Sequence, residues 1–171
     1  VLVRLARLAD AEALRAIYNE EVLHTTTTLD LVPRGLATQR EWILEHSGVH
    51  PAIVAVEGGE VAGFASVAPY RTRPGYSTTV EDSIYVATPW RRQGVGRLLL
   101  GELLPLVARH GFHSVMARVV DAHPASVALH RSLGFTLVGI EREVGRKFGR
   151  WLDVALLQCM LSPDGLDLRD A

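Results

Sequence analysis

Cysteine is nearly absent: Cys159 is the only one in 171 residues. No intrachain disulfide can form, and a single thiol fits a reducing cytoplasm, with an intermolecular bridge as its other use. Cys159 is expected to be buried on a strand, without a nucleophilic role. Long apolar runs are absent too. None approaches the ~20 residues of a membrane span, and the first residues alternate with arginine where a signal peptide would carry an apolar core. A soluble, unprocessed, cytoplasmic protein with no membrane partner is expected. Charge of one sign is also missing, since 18 Lys and Arg stand against 19 Asp and Glu for a net charge of −1. A general nucleic-acid binder would be strongly basic, so no nucleic-acid partner is expected. There is no Gly-x-Ser-x-Gly nucleophile elbow and no Gly-Lys-Ser/Thr of a P-loop. The seven histidines include His110-x-x-His113, which has no evident carboxylate or cysteine partner, so no metal site is expected.

What is present fits one domain. A 48% apolar composition supports a single globular unit over residues 1–161 with a sizeable core, followed by a polar tail at 162–171. No internal repeat, low-complexity block or linker interrupts it. Val1 to Leu5 alternates as a short strand. Asp10 is placed to cap a helix carrying Leu14, Ile17, Tyr18 and Val22 on one face. The β-branched run Thr25 to Thr28 ends that helix. Thr38-Gln39-Arg40-Glu41 matches a capping box for a second helix that turns Trp42 and Ile43 inward. Ala52 to Val56 and Val61 to Val67 read as strands joined at Gly58-Gly59.

Beyond a Pro- and Gly-containing loop at 69–77, Thr79 to Val86 alternates. Glu81, Ser83 and Tyr85 share one face, and Asp82, Ile84 and Val86 share the other. Val95, Leu98, Leu99, Leu103, Leu106 and Val107 form a helix face that ends at Gly111. Pro105 within it predicts a kink at a cost of about 3 kcal/mol before compensation. Ser114 to Val120 is a strand, Ala125 to Leu133 a short helix stopped by Gly134, and Phe135 to Ile140 with Trp151 to Leu161 a terminal strand pair. The alternation of strands and helices after residue 79 argues for parallel pairing within a mixed α/β sheet.

Arg91-Arg92-Gln93-Gly94-Val95-Gly96-Arg97 lies between the strand ending at Val86 and the helix starting near Val95. Gly94 and Gly96 let the backbone approach a ligand closely, and the free N–H groups of the first helical turn point at any anion docked there. A pyrophosphate suits such a turn, with Arg91, Arg92 and Arg97 as ion-pairing partners. Leu99 stands where a dinucleotide fold needs its third glycine. On this local pattern alone, a tight turn without a ligand is an equal reading.

Arg91-x-x-Gly94-x-Gly96 resembles the acyl-CoA loop of the GCN5-related N-acetyltransferase (GNAT) superfamily. The resemblance extends upstream to Thr79-Val80-Glu81-Asp82-Ser83-Ile84-Tyr85-Val86. Downstream it takes in Ala125 to Phe135 and Gly145 to Asp153. Together these segments resemble the phosphinothricin and methionine sulfoximine acetyltransferase branch over about residues 3 to 161. The resemblance implies a GNAT fold: a central mixed, largely antiparallel sheet with a splayed parallel strand pair, flanked by helices. It also implies acetyl-CoA as cosubstrate, no metal, a homodimer, and direct acetyl transfer to the primary amine of a small amino-acid-like acceptor. The alternatives are a peptide N-terminus, polyamine or aminoglycoside as acceptor, or a CoA-binding module without turnover.

The same resemblance implies roles for single residues. The strand before the glycine loop would be bulged and splayed, so that pantetheine pairs along Ile84, Tyr85 and Val86. The Val86 N–H would hold the oxyanion. Arg91, Arg92, Gln93, Gly94, Val95, Gly96 and Arg97 would cradle the pyrophosphate, and His123 stands where the branch has a cofactor-contacting asparagine. Glu81 would accept the amine proton through water, its pKa raised beside apolar walls. His130, where many members carry tyrosine, would protonate the thiolate. Arg71, Thr72 and Arg73, with Glu81, Asp82 and Ser83, would contact the acceptor, an arginine fork matching its carboxylate. Thr25 to Thr28 would form part of the acceptor wall, and Leu29 replaces a frequent aromatic. Arg146, Lys147 and Arg150 read as a basic hairpin tip at a dimer contact or site rim, with Gly145 and Gly149 explained by the turn. Without the resemblance, Glu81 and Arg71 read as solvated side chains, Ile84 and Val86 as core, and His130 as a surface or core histidine.

Overall fold

The computed structural model describes residues 1–162, so all but the first residue of the expected polar tail lies outside the described residues. Seven strands form one sheet in the order β1-β2-β3-β4-β5-β7-β6. They are β1 Leu2–Leu5, β2 Ala52–Glu57, β3 Glu60–Pro69, β4 Thr79–Val86, β5 Ser114–Val120, β6 Thr136–Lys147 and β7 Arg150–Met160. Every neighbouring pair is antiparallel except β4–β5. Helices α1 Ala11–His24 and α2 Leu36–Glu45 pack on one face of the sheet, while α3 Val95–Arg109 and α4 Pro124–Arg131 cover the other. No helix among the described residues is long and apolar enough to cross a membrane.

Local chemistry explains these elements. Gly58 and Gly59 have φ of +58° and +87°, the backbone a two-residue turn between β2 and β3 requires. Val80, Ile84 and Val86 of β4 join the core beneath α3, whereas Tyr85 joins the core beneath α1, as strand alternation dictates. Val95, Leu99, Leu100, Leu103, Leu104 and Val107 seal α3 against the sheet. Leu100 and Leu104 widen the expected stripe, and Leu98 and Leu106 are only half-buried. The helix runs on through Pro105 to Arg109. Gly101, whose carbonyl the proline ring presses, has open space where a side chain would sit, so the turn can yield.

Several boundaries differ from expectation. Asp10 makes no side-chain cap for α1. Its carboxylate accepts the Arg7 N–H at 2.8 Å and two bonds from Arg4 at 2.7 and 2.8 Å, which ties β1 to the following turn. Helix α2 starts at Leu36 behind Gly35, leaving Thr38 inside the helix instead of capping it. The cause lies upstream: the Asn19 side chain clasps the Arg34 backbone on both sides, at 2.8 and 3.0 Å, and sets the chain's entry early. Strand β6 extends to Lys147 through two register shifts. Those shifts break the alternation by which its second half would have been recognised.

Candidate active site

Strand β4 is shared unequally by its neighbours. It pairs with β3 from Pro69↔Val80 to Gly63↔Val86 without a register shift. With β5 it pairs only at Thr79↔Ser114, Val80↔Val115 and Glu81↔Met116. Beyond Glu81, β5 stays with β7 to Val120↔Val154 while β4 stays with β3, and a gap opens. The expected splay is therefore present, but the expected bulge in β4 is not; the gap comes from divergence alone. Ala87 N–H donates to Ala62 O at 2.9 Å. Alternation then turns the Tyr85 amide toward β3 and those of Ile84 and Val86 toward the gap. These are the donors that an extended ligand or a developing oxyanion could use.

Two cavities meet at this gap. A groove of about 590 Å³ runs over Ile84, Tyr85, Val86, Trp90 and the loop at Arg91, Arg92, Gly94, Val95, Gly96 and Arg97. A pocket of about 120 Å³ lies deeper, between Asp82, Ser83, Arg118, Val119, Val120 and His130. Both are lined by Thr27, Ile84, Tyr85, His123 and Ser126. Gly94 caps α3 in the left-handed region at φ +84°, and a Cβ there would meet nothing, so the helix start stays open to an anion. A Cβ on Gly96 would sit 3.2 Å from Leu129 Cδ2, so this glycine also serves helix packing. Gln93 lines neither cavity; its Nε2 donates to Pro89 O at 2.7 Å and fixes the turn before the loop. Arg91 stays exposed at the groove but bends back toward the protein: its Nε donates to Val86 O at 3.1 Å, and its Nη2 is paired with Glu21.

The adjacent carboxylates of β4 face opposite sides. Asp82 and His130 are both almost wholly buried, with Asp82 Oδ2 3.0 Å from His130 Nε2. His130 Nδ1 lies 2.7 Å from Ser126 O. Burial pulls the imidazole's pKa down, but the hydrogen bond and charge of Asp82 outweigh it, and the net direction is upward. Glu81 lies on the other face, half-buried, and burial raises its carboxyl above the ordinary range against the pull of Arg118. Arg118 was missed in the sequence. It lines the deep pocket and pairs with Glu141 at 2.6 Å. Neither cavity wall includes Glu81, Arg71, Thr72 or Arg73. Arg71 lies over the rings of Tyr70 and Tyr76, 4.9 and 5.8 Å from their centroids, in an exposed loop.

Across the groove stands the C-terminal end of α1. Thr25 and Thr27 hydroxyls both donate to Glu21 Oε2 at 2.7 Å. Lys147 is not on an exposed basic tip, since it is 3% exposed. Its Nζ donates to Thr28 O at 2.9 Å and Glu21 O at 3.3 Å. Gly149 does serve the hairpin turn, with φ +72°. Gly145 has a different reason: a Cβ there would sit 2.7 Å from Leu29 Cδ2, so its missing side chain seats Leu29 against Val120, Leu152 and Val154. Cys159 is buried on β7, and burial pushes its thiol up to about 11, which keeps it protonated and unreactive.

The family model described as Acetyltransferase (GNAT) family matches residues 11–135. The L-methionine sulfoximine/L-methionine sulfone acetyltransferase of Pseudomonas aeruginosa is 38% identical over 163 residues, covering 94% of this chain and 95% of that protein. A phosphinothricin N-acetyltransferase of Streptomyces coelicolor is 39% identical over 150 residues, 85% of this chain and 88% of its own. Among solved structures, a GNAT superfamily phosphinothricin acetyltransferase from Sinorhizobium meliloti in complex with AcCoA superposes with a TM-score of 0.91. It is 38% identical and covers 94% of this chain and 88% of that one.

Proposed function

Because this chain belongs to the GNAT acetyltransferase family and is an acetyl-CoA-dependent N-acetyltransferase, we propose that its acceptor is the free α-amine of a small amino acid resembling methionine sulfone or phosphinothricin. The observation that carries this reading is the gap beyond Glu81, where a long groove and a small polar pocket meet along the outward amides of β4. The groove fits a nucleotide-bearing thioester. The α3 N-terminus, opened by Gly94, offers backbone donors at 92–97, and Arg92 and Arg97 add charge for a pyrophosphate. The 120 Å³ pocket fits a small acceptor. Relatives named for methionine sulfone and phosphinothricin point to the same size and class.

Acetyl-CoA supplies an activated acetyl thioester, and the chain supplies placement and proton handling. The Val86 N–H, facing the gap, donates to the carbonyl oxygen as negative charge gathers there. Glu81, at the last β4–β5 pair, takes a proton from the attacking amine through water. Asp82 favours the charged form of His130, which in this reading is the source of the proton for the departing thiolate. Asp82 therefore acts through His130 in this reading, and Ser83, Arg118 and His123 line the acceptor's path. Arg71, in the loop before β4, offers its fork to the acceptor carboxylate. We further propose that the protein works as a homodimer.

Parallel kinetics with acetyl-CoA on methionine sulfone and on its decarboxylated amine test the acceptor class. The amino acid is expected to react about ten- to a hundredfold better in kcat/KM, the worth of one charge-assisted contact. Arg71→Ala should narrow that gap by raising KM for the amino acid. Equal efficiency on both would favour a polyamine or peptide acceptor, and tight CoA binding with no turnover on any amine would indicate a binding module.

A further inference from the structure

Glu21 is the only buried acidic side chain of α1, 4% exposed among Leu14, Ile17, Tyr18 and Val22. A buried carboxylate is costly unless charge and hydrogen bonds offset its lost hydration. Here both oxygens are used. Oε1 pairs with Arg91 Nη2, and Oε2 accepts the hydroxyls of Thr25 and Thr27, each at 2.7 Å. Each partner belongs to a different part of the site. Arg91 opens the glycine loop, and its Nε donates to Val86 O at 3.1 Å, at the end of β4. Thr27 lines both the groove and the deep pocket.

We propose that Glu21 is a positioning residue for acetyl transfer. Through Arg91 it fixes the end of β4 that presents the Val86 amide, and through Thr25 and Thr27 it fixes the wall facing the acceptor. One buried carboxylate thus sets the oxyanion donor and the acceptor wall against each other. Arg91 then acts as a strut. Two of its donor atoms, Nε and Nη2, are held by protein acceptors, and Arg92 and Arg97 are assigned the larger share of the anionic ligand. Lys147 braces the same segment from β6 by bonding the carbonyls of Glu21 and Thr28. The proposal rests on reading the gap as an acetyl-transfer centre.

The test uses the whole chain with Glu21→Gln, Arg91→Met, their double variant and Thr27→Val. Calorimetry gives acetyl-CoA affinity, kinetics on methionine sulfone give kcat and KM, and NMR gives the Val86 amide shift. Glu21→Gln and Arg91→Met should each lower kcat about ten- to a hundredfold and raise acceptor KM, as expected for losing a charge-assisted bond. Acetyl-CoA affinity should fall by less than kcat does, and the double variant should be no worse than the poorer single one, because the residues act as a unit. The Val86 amide should move in both single variants, which a loss of global stability alone would not produce. Thr27→Val should raise acceptor KM only.

A folded Glu21→Gln protein with wild-type kcat and KM overturns the proposal. So does an Arg91→Met protein that loses about tenfold or more in acetyl-CoA affinity at unchanged kcat, since that would make Arg91 a phosphate ligand. If Glu21→Gln does not fold, Arg91→Met and Thr27→Val decide by the same criteria. Wild-type protein that acetylates no amine removes the transfer reading itself, whereas active wild type with unaffected variants removes only the role of Glu21.

Discussion

Glu81 and Asp82 are neighbours in sequence with opposite environments, and one step of strand alternation separates their chemistry. Asp82 faces His130 inside the protein, in an ion pair almost closed to solvent. Glu81 faces the other side, half-buried, with Arg118 of β5 on the same face. Burial raises its carboxyl pKa, and Arg118 opposes the rise. As the proposed base, Glu81 would work only when deprotonated. Activity should therefore fall as pH drops through that raised value, with the acidic limb of kcat/KM above the ordinary carboxylate range. Glu81→Gln should remove this limb and lower kcat by about 10²–10⁴-fold, the range for a positioned acid–base group. Arg118→Met should move the limb further up in pH, because the charge that favours the ionised form is gone. Rate–pH profiles of the three proteins decide the matter; a Glu81→Gln enzyme with the wild-type rate and limb would show that the proton leaves by another route.

At the scale of elements, the end of β4 is held by what lies beneath it. Gly63 of β3 is the register partner of Val86. A Cβ there would sit 2.7 Å from Tyr85 O, 3.2 Å from Val86 Cα and 3.3 Å from Leu99 Cδ1. Two of those neighbours are backbone and cannot rotate aside. Gly63→Ala should therefore push the end of β4 outward, destabilise the fold by ~1–3 kcal/mol as overpacking does, and lower kcat by moving the Val86 amide. Denaturant unfolding and steady-state kinetics check both effects, and wild-type values in both would show that β3 gives way instead.

Strands β4 and β5 and the start of α3 behind Gly94 could be read to the residue, because alternation and turn glycines are local signals. Glu21, Arg118 and Lys147 could not. Their partners are distant in sequence: Arg91 is 70 residues from Glu21, and Lys147 is 126 residues from it. A charged residue on a helix or strand reads as solvent-facing until the fold supplies its partner. The start of α2 escaped for the same reason, since Asn19 sets it from the preceding helix.

The two edges of the whole sheet are treated differently. At one edge β1 has four residues, and Arg4 ties it to Asp10. At the other, β6 has twelve residues and exposes Leu137, Val138, Ile140 and Val144, each more than 40% open. A long edge strand carrying exposed apolar side chains is a ready surface for a second chain, whereas isolated apolar residues elsewhere need no partner. The proposed homodimer would use this edge. The groove proposed for the cofactor is lined by α1, β4, α3, α4 and the loops between them, and by no residue of β6. Val138→Lys with Ile140→Lys should therefore dissociate the dimer and leave acetyl-CoA affinity within about threefold of wild type, because a desolvated lysine opposes pairing without touching the groove. Light scattering over a concentration series, with calorimetry on the same samples, makes the comparison. A wild-type protein that stays monomeric at every concentration would remove the dimer, and a charged double variant that remains dimeric would move the interface away from β6.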